Sequence, residues 1–341
     1  MNHGAFFGKI RLGIKLDGRF AQGDRMKHYF FVNPAAGTGK NVDGLISRID
    51  EAFSDLVDHE HRICLTDSVG AGERQAREIA DGLAEGEEAR FYACGGDGTV
   101  NEIANAVIGH PGAALGIIPI GTGNDTVRNF PEAGDFLDIR SQIGGSTVKI
   151  DAMRYEGIVD GREQSRYCIN MFNIGFDCNV VELTGRLKQK PLISGSAAYL
   201  MAVFGVLARK KGTSLTITDG GSVWREGPML LCSISNGSYC GGGIYSSPQA
   251  RMDDGLFDIC VINDVSRMKF ISTFPKYKNG THLDMKGADE ILDVRRSTDV
   301  TIKPYGMKDL FICVDGEIQL TTGIRVTMCP GALNFVVPKK Y

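Results

Sequence analysis

Tyr92-Ala-Cys-Gly-Gly-Asp-Gly-Thr-Val-Asn101 carries an apolar strand into a turn where Gly95, Gly96 and Gly98 surround one carboxylate, Asp97. Glycine lets a backbone pass close to a ligand. A carboxylate placed there repels phosphate unless a cation lies between them. Two more turns of this kind follow apolar runs: Asn33-Pro-Ala-Ala-Gly-Thr-Gly39 after Tyr29–Val32, and Gly121-Thr-Gly-Asn-Asp125 after Leu115–Pro119. Between them, His61–Leu65 and Arg90–Cys94 read as strands, while Val42–Phe53, with Leu45, Ile46 and Ile49 on one face, Ala71–Leu83 and Val100–Ile108 read as helices. Strand and helix in alternation predict a parallel sheet with helices on its faces and a ligand at the carboxyl ends of the strands.

All three glycine turns then face one edge and converge. Backbone N–H groups and helix N-termini supply partial positive charge, and Thr99 and Thr122 supply hydroxyls, which together describe a phosphate cradle. The chain has no GxxxxGK[ST] loop, and no GxGxxG follows its first strand, so neither a Walker-type nor a dinucleotide-binding arrangement is expected. Asp97 and Asp125 lie on turns facing the phosphates, where either could bind Mg2+ directly or through water.

After about Lys149 the pattern changes to short β-like runs separated by turn residues, among them Val148–Tyr155, Arg166–Asn173, Met229–Ser235, Leu256–Ile262, Leu310–Val314 and Gly323–Met328. Such spacing is the signature of a β-sandwich. One interruption, Ser194–Lys211, is apolar and reads as a packed helix ending in the basic cluster Arg209-Lys-Lys211; an interfacial role is its alternative. The domains expected are an N-terminal extension over 1–25, an α/β domain over 26–149 and a sandwich over 150–341 whose last residues could pack back on the first domain. The extension carries five basic residues against two acidic and reads as an added segment, or else as a basic arm with Phe6 and Phe7 as apolar anchors at a lipid surface.

Composition narrows the classes. With 341 residues, 43% hydrophobic and 23% charged, the chain suits a two-domain folded enzyme. A net charge of -3 speaks against nucleic acid as a partner. The nine cysteines have no CxxC spacing and mostly fall in apolar runs, which predicts buried free thiols in a reducing compartment. No apolar run approaches the roughly 20 residues of a membrane span and no secretory apolar segment opens the chain, so a cytoplasmic protein is expected.

The motifs resemble the diacylglycerol kinase catalytic family, which includes bacterial soluble lipid kinases and sphingosine and ceramide kinases. The resemblance rests on NPxxG at Asn33–Gly37, GGDGTxNE at Gly95–Glu102 and PxGTxND with a following arginine at Pro119–Arg128. It continues through Asn173-Ile-Gly-Phe-Asp177, Gly241-Gly-Gly243 leading to Asp253-Asp-Gly-Leu256, and Asp315-Gly-Glu317. It implies a three-layer α/β nucleotide domain, a C-terminal β-sandwich and an active site in the cleft between them. It further implies ATP and Mg2+ as cofactors, with a lipid acceptor such as diacylglycerol reached from the cytoplasm at a membrane surface; a homodimer is an open option.

By the same resemblance, Asn33, Pro34, Gly37, Thr66, Gly95, Gly96, Asp97, Gly98, Thr99, Asn101, Thr122, Asn124 and Asp125 are expected at the nucleotide. Asp254 with the carbonyls of Arg251 and Leu256 matches a magnesium site. Glu317 matches a general base, and Asp97 matches an acidic residue given a catalytic role in sphingosine kinases. Phosphoryl transfer needs one carboxylate to accept the acceptor's proton and another to order the cation; we favour Glu317 and Asp97 in that order, with the reverse assignment as the alternative. Each has a plainer alternative: a hairpin turn at Asp315-Gly316, a loop at Asp253–Gly255, a helix N-cap at Asn124-Asp125. Thr126 and Val127 replace the aromatic and alanine common in the family's third motif, and Arg251 stands where an apolar residue is usual. Other acceptors, including a sphingoid base, another glycerolipid or NAD, and a non-catalytic binding module, are the competing readings.

Overall fold

A computed structural model describes residues 26–37, 42–131, 133–175 and 212–339. The readings placed on residues 1–25, on Ser194–Lys211, and on Phe176, Asp177 and Cys178 lie outside the described residues.

Four parallel strands form the first half: β1 (Met26–Val32), β2 (His59–Leu65), β3 (Ala89–Gly95) and β4 (Ala113–Pro119), in the order β4-β3-β1-β2. Successive residues face opposite sides and both sides are covered, which is why these strands read as continuous apolar runs. Phe30, Val32, Tyr92 and Cys94 pack with Leu45, Ile49 and Phe53 of α1 (Val42–Phe53). Phe31, Phe91 and Ala93 pack on the other side with Ala76 and Ala80 of α2 (Ala71–Asp81) and Ile103 and Val107 of α3 (Asp97–Val107). Three layers result. Register pairs Val32 with Leu65 and Cys94, and Gly95 with Pro119, so the strands end together.

Strand and helix ends shift by a few residues from the sequence reading, and one such shift bears on the site. Helix α3 begins at Asp97 rather than Val100, because Gly96, with extended φ -97 and ψ -170, already serves as its N-cap. The glycine run is therefore half turn and half helix.

The second half is antiparallel. A short helix α4 (Ile139–Ile143) leads into β5 (Ser146–Val159), β6 (Arg162–Cys168) and β7 (Met171–Gly175), and after Gly212 come β8 (Thr213–Asp219), β9 (Ser222–Ser235) and β10 (Phe257–Asn263). Then follow β11 (Leu292–Ser297), β12 (Asp299–Pro304), β13 (Leu310–Val314) and β14 (Glu317–Val337). Inward residues such as Tyr155, Phe172, Ile217, Ile234, Ile259, Ile302 and Val326 make its core. A helix absent from the sequence reading, α5 (Arg267–Lys278), packs Phe270 and Tyr277 against Ile244, Ile262 and Leu292. Its period is masked by Pro275 and by polar residues between the aromatics.

The halves share a seam. Strand β14 runs antiparallel to β5 from Thr321 to Val337 and also joins β4 in parallel through Phe335 opposite Leu115. A register break between Cys329 and Leu333 lets the strand change direction. Among the described residues, none of the eight cysteines forms a disulfide, and only Cys329 among them is not buried. No described helix is long and apolar enough to cross a membrane.

Candidate active site

The three glycine turns meet at the carboxyl edge of the parallel sheet, and they meet backbone to backbone. A Cβ on Gly121 would lie 2.3 Å from the Cα of Gly96, and one on Gly37, whose φ is 63, would lie 2.5 Å from the Ile120 carbonyl oxygen. Only glycine permits that approach. The Gly95 carbonyl accepts from both Ile120 N and Gly121 N at 3.1 Å, locking the second turn to the third. Asn33 bridges the first and second: its Nδ2 donates to Thr99 Oγ1 at 3.2 Å while its Oδ1 accepts from Ala35 N at 2.9 Å. Pro34 follows, exposed. Thr66, at the end of β2, is buried and donates through its amide to Val32 O at 3.0 Å. No side chain caps α3, so its first-turn amides open onto this edge.

The third turn is held from within. Asn124 adopts φ 53 and donates to the carbonyls of Pro119 and Gly121, at 3.1 and 2.9 Å, closing its own loop around Thr122. Its Oδ1 is buried without a hydrogen-bond partner. That is an acceptor left open beside the cradle.

Two carboxylates share this place. Asp97 Oδ1 accepts from the backbone N and the hydroxyl of Thr126, both at 3.1 Å. Asp125 accepts from Gly242 N at 2.9 Å and Gly243 N at 2.8 Å, both in the second half of the molecule. Burial first, and the Asp97 charge second, push the Asp125 carboxyl up to about 6. Arg128 Nε, 3.6 Å from Asp125 Oδ1, offsets part of the charge of the two carboxylates, and a bound cation would offset the rest.

Helix α3 shows its other face to the second half. Gly98, Asn101 and Asn105 fall at i, i+3 and i+7 and form one stripe. Asn105 accepts from Tyr167 N at 2.8 Å, and Asn101 donates to Asp315 Oδ2 at 2.7 Å and to Tyr167 O at 3.0 Å. The structure thus puts Asn101 at the joint between halves and not in the cradle. At the head of the stripe a Cβ on Gly98 would lie 2.9 Å from Glu317 Oε1. Glu317, carried by the second half, reaches the first turn of α3, the turn that bears Asp97.

Glu317 owes its place to Asp315. This buried residue sits at φ 47, and its carboxylate accepts from Ile169 N at 2.8 Å, Asn170 N at 2.9 Å, Met171 N at 3.0 Å, Cys168 Sγ at 3.1 Å and Asn101 Nδ2 at 2.7 Å. A second buried acid, Asp151, accepts from Gly255 N and Gly331 N, each at 2.7 Å, fastening the Arg251–Leu256 loop to the bend of β14. The sequence reading passed over Asp151. An acid inside the apolar alternation of Val148–Tyr155 was the available signal.

Arg251, Asp254 and Leu256 stand apart from the glycine turns but are tied to them. Asn129 Nδ2 donates to Asp125 O at 3.3 Å, its Oδ1 accepts from Ser238 N at 2.6 Å, and Ser238 Oγ donates to Ala250 O at 3.0 Å. Asp254 pairs with Arg296 and accepts from Leu256 N at 3.2 Å, while the Arg251 side chain turns to Asp253 at 3.3 Å. One carboxylate and two carbonyls are hard oxygen donors of the kind Mg2+ takes, and a carboxylate keeps lone pairs beyond these two contacts. Among the described residues, no cluster of three or more His, Cys, Asp or Glu side chains is placed to hold a metal.

Residues 27–155 match the family described as the diacylglycerol kinase catalytic domain, and residues 170–337 match the one described as the YegS C-terminal NAD kinase beta sandwich-like domain. A protein of Xanthomonas euvesicatoria pv. vesicatoria named "Probable lipid kinase YegS-like" is 32% identical over 270 residues, covering 77% of this chain and 82% of its own. The chain belongs to the diacylglycerol kinase family of lipid kinases. Across this kinase as a whole, a Mycobacterium tuberculosis protein named "Diacylglycerol kinase" is 28% identical over 313 residues, 90% of this chain and 94% of that one. The kinase also shares its fold with a crystal structure titled as a diacylglycerol kinase from Bacillus anthracis str. Sterne, at 20% identity and a TM-score of 0.62 over 91% and 96% of the two chains.

Proposed function

We propose that the protein is an ATP- and Mg2+-dependent kinase that transfers the γ-phosphoryl group of ATP to a lipid hydroxyl, with diacylglycerol as acceptor and phosphatidic acid as product. The observation that carries this reading is the meeting of Glu317 with the first turn of α3, beside Asp97. A carboxylate from one half there faces a phosphate cradle built by the other.

In this reading the amides and hydroxyls of Asn33–Gly37, Gly95–Thr99 and Gly121–Asn124 receive the phosphates, with Thr66 at their margin. Glu317 takes the proton of the acceptor hydroxyl as its oxygen bonds to the γ-phosphorus and the bond to the β-phosphate oxygen breaks. Mg2+, when bound, would offset phosphate charge; Asp254 with the Arg251 and Leu256 carbonyls would hold an ion in their loop, and Asp97 would meet one at the phosphates through water. Asp125 acts by holding Gly242 and Gly243, and Asn101 by holding Asp315, so that both halves keep their places. Such an enzyme works from the cytoplasm and touches the membrane only to reach its acceptor.

The test is transfer of labelled phosphate from ATP to a panel of lipids in mixed micelles, with NAD and water as competing acceptors and with Mg2+ present or chelated. Diacylglycerol should be labelled only when Mg2+ is present. Labelling of NAD with none of any lipid would overturn the reading.

A further inference from the structure

Helix α5, Arg267–Lys278, carries Arg267, Lys269, Lys276 and Lys278 and no acidic residue, in a chain whose net charge is -3. All four cations are exposed, and none takes part in an ion pair among the described residues. Its inner face holds Phe270 and Tyr277, both 5% exposed. On the opposite side Met268 is 75% exposed and Ile271 45% exposed, and with Pro275 they fall at i, i+3 and i+7.

The cations border this stripe. Lys269 and Lys276, seven residues apart, lie along one side; Arg267 and Lys278, eleven residues or about three turns apart, lie along the other. Apolar side chains along the crest with long cationic stems on both shoulders let the first enter an acyl boundary while the ammonium and guanidinium groups remain at the headgroups. A protein partner would need no such symmetry. The single net sign of the helix specifies an anionic surface.

Position ties the helix to the site. The Lys278 carbonyl accepts from Tyr245 N at 3.0 Å, and Tyr245 lies two residues beyond Gly243, whose amide binds Asp125 at 2.8 Å. Tyr245 is also stacked on Tyr239 at 4.8 Å, and the Cys240–Ile244 bridge closes the glycine loop between them. The end of α5 is thus joined through one short, pinned loop to the cradle.

We infer that the exposed face of α5 is the surface by which this protein docks on anionic lipid bilayers, bringing the cleft to its acceptor. The inference rests on the lipid-kinase reading above.

Sedimentation of the full chain with phosphatidylcholine vesicles, with and without phosphatidylglycerol, tests it. K269Q/K276Q should weaken binding to the anionic vesicles by about 20- to 30-fold, roughly fivefold per cation. M268S/I271S should weaken it about tenfold, since two apolar groups no longer enter the boundary. Both variants should keep the wild-type Tm, because the altered side chains are exposed, and should phosphorylate a short-chain, monomeric diacylglycerol at the wild-type rate. K308Q, the same charge change on a residue outside α5, should bind as wild type. Wild-type vesicle binding by both α5 variants, or equal weakening by K308Q, overturns the docking surface whatever the kinase assay shows. Absence of transfer to any lipid by wild-type protein, with vesicle binding still lost in the α5 variants, overturns the lipid-kinase reading and leaves the docking surface standing.

Discussion

Asp315→Asn changes one atom at the joint between the two halves, and its consequence can be worked out. The carboxylate accepts five hydrogen bonds, with Ile169 N and Asn101 Nδ2 on Oδ2 and Asn170 N, Met171 N and Cys168 Sγ on Oδ1. An amide keeps only one acceptor oxygen. Whichever way it turns, at least two donors then face an NH2 group in a site that is 7% exposed. Hydrogen bonds to a charged group contribute about 1.5–3 kcal/mol each, so the loss should be about 3–6 kcal/mol. Asparagine accepts the left-handed backbone at φ 47 as readily as aspartate, so strain does not enter the comparison. Urea unfolding followed by circular dichroism should show a lower midpoint at unchanged slope. A loss below about 1 kcal/mol would refute the claim that this carboxylate holds its five donors in place.

Three other outcomes are expected. Gly98→Ala puts a methyl group 2.9 Å from Glu317 Oε1, so kcat should fall by about 10- to 100-fold while stability holds or rises by about 0.5–1 kcal/mol, as for a glycine replaced within a helix; equal kcat would separate Glu317 from the chemistry. Glu317→Gln should lower kcat by about 100- to 10,000-fold, as expected for loss of a general base, and near-wild-type kcat together with a collapse in Asp97→Asn would exchange the two assignments. Asp125 has its pKa raised from 3.8 to about 6, so its stabilising contribution is fully present below about 4 and is lost as pH rises through about 6. Across that window wild type should lose about 3 kcal/mol relative to Asp125→Asn, at ~1.4 kcal/mol per pH unit, and a pH-independent difference in unfolding free energy would rule the burial argument out.

The parallel half was legible because its strands are apolar on both faces and its turns announce themselves with glycine. Asn33, Gly95, Gly96, Asp97, Gly121 and Asn124 do meet at one edge. What stayed hidden depended on partners distant in the chain. Asp151, Asp125 and Asp315 take most of their hydrogen bonds from backbone amides, which any residue type supplies, so spacing does not mark them as clasps, and only Asp151 carries a signal, as an acid inside an apolar run. Asn101 was expected at the nucleotide through the resemblance alone; with the helix beginning at Asp97, its alignment with Gly98 and Asn105 follows from periodicity. Helix α5 was missed because its apolar residues occupy two faces, one for the core and one for the surface.

The seam made by β14 has a consequence for how the protein is born. Strand β4 borders the parallel sheet, and its neighbour on that side includes Phe335. A ribosome reaches that residue on the order of tens of seconds after it has made β4, at ordinary rates of synthesis. Through that interval the earlier half presents an unpaired, apolar strand edge, the kind of edge that recruits other chains. The half that emerges first must be sheltered until the half that emerges last arrives to close it.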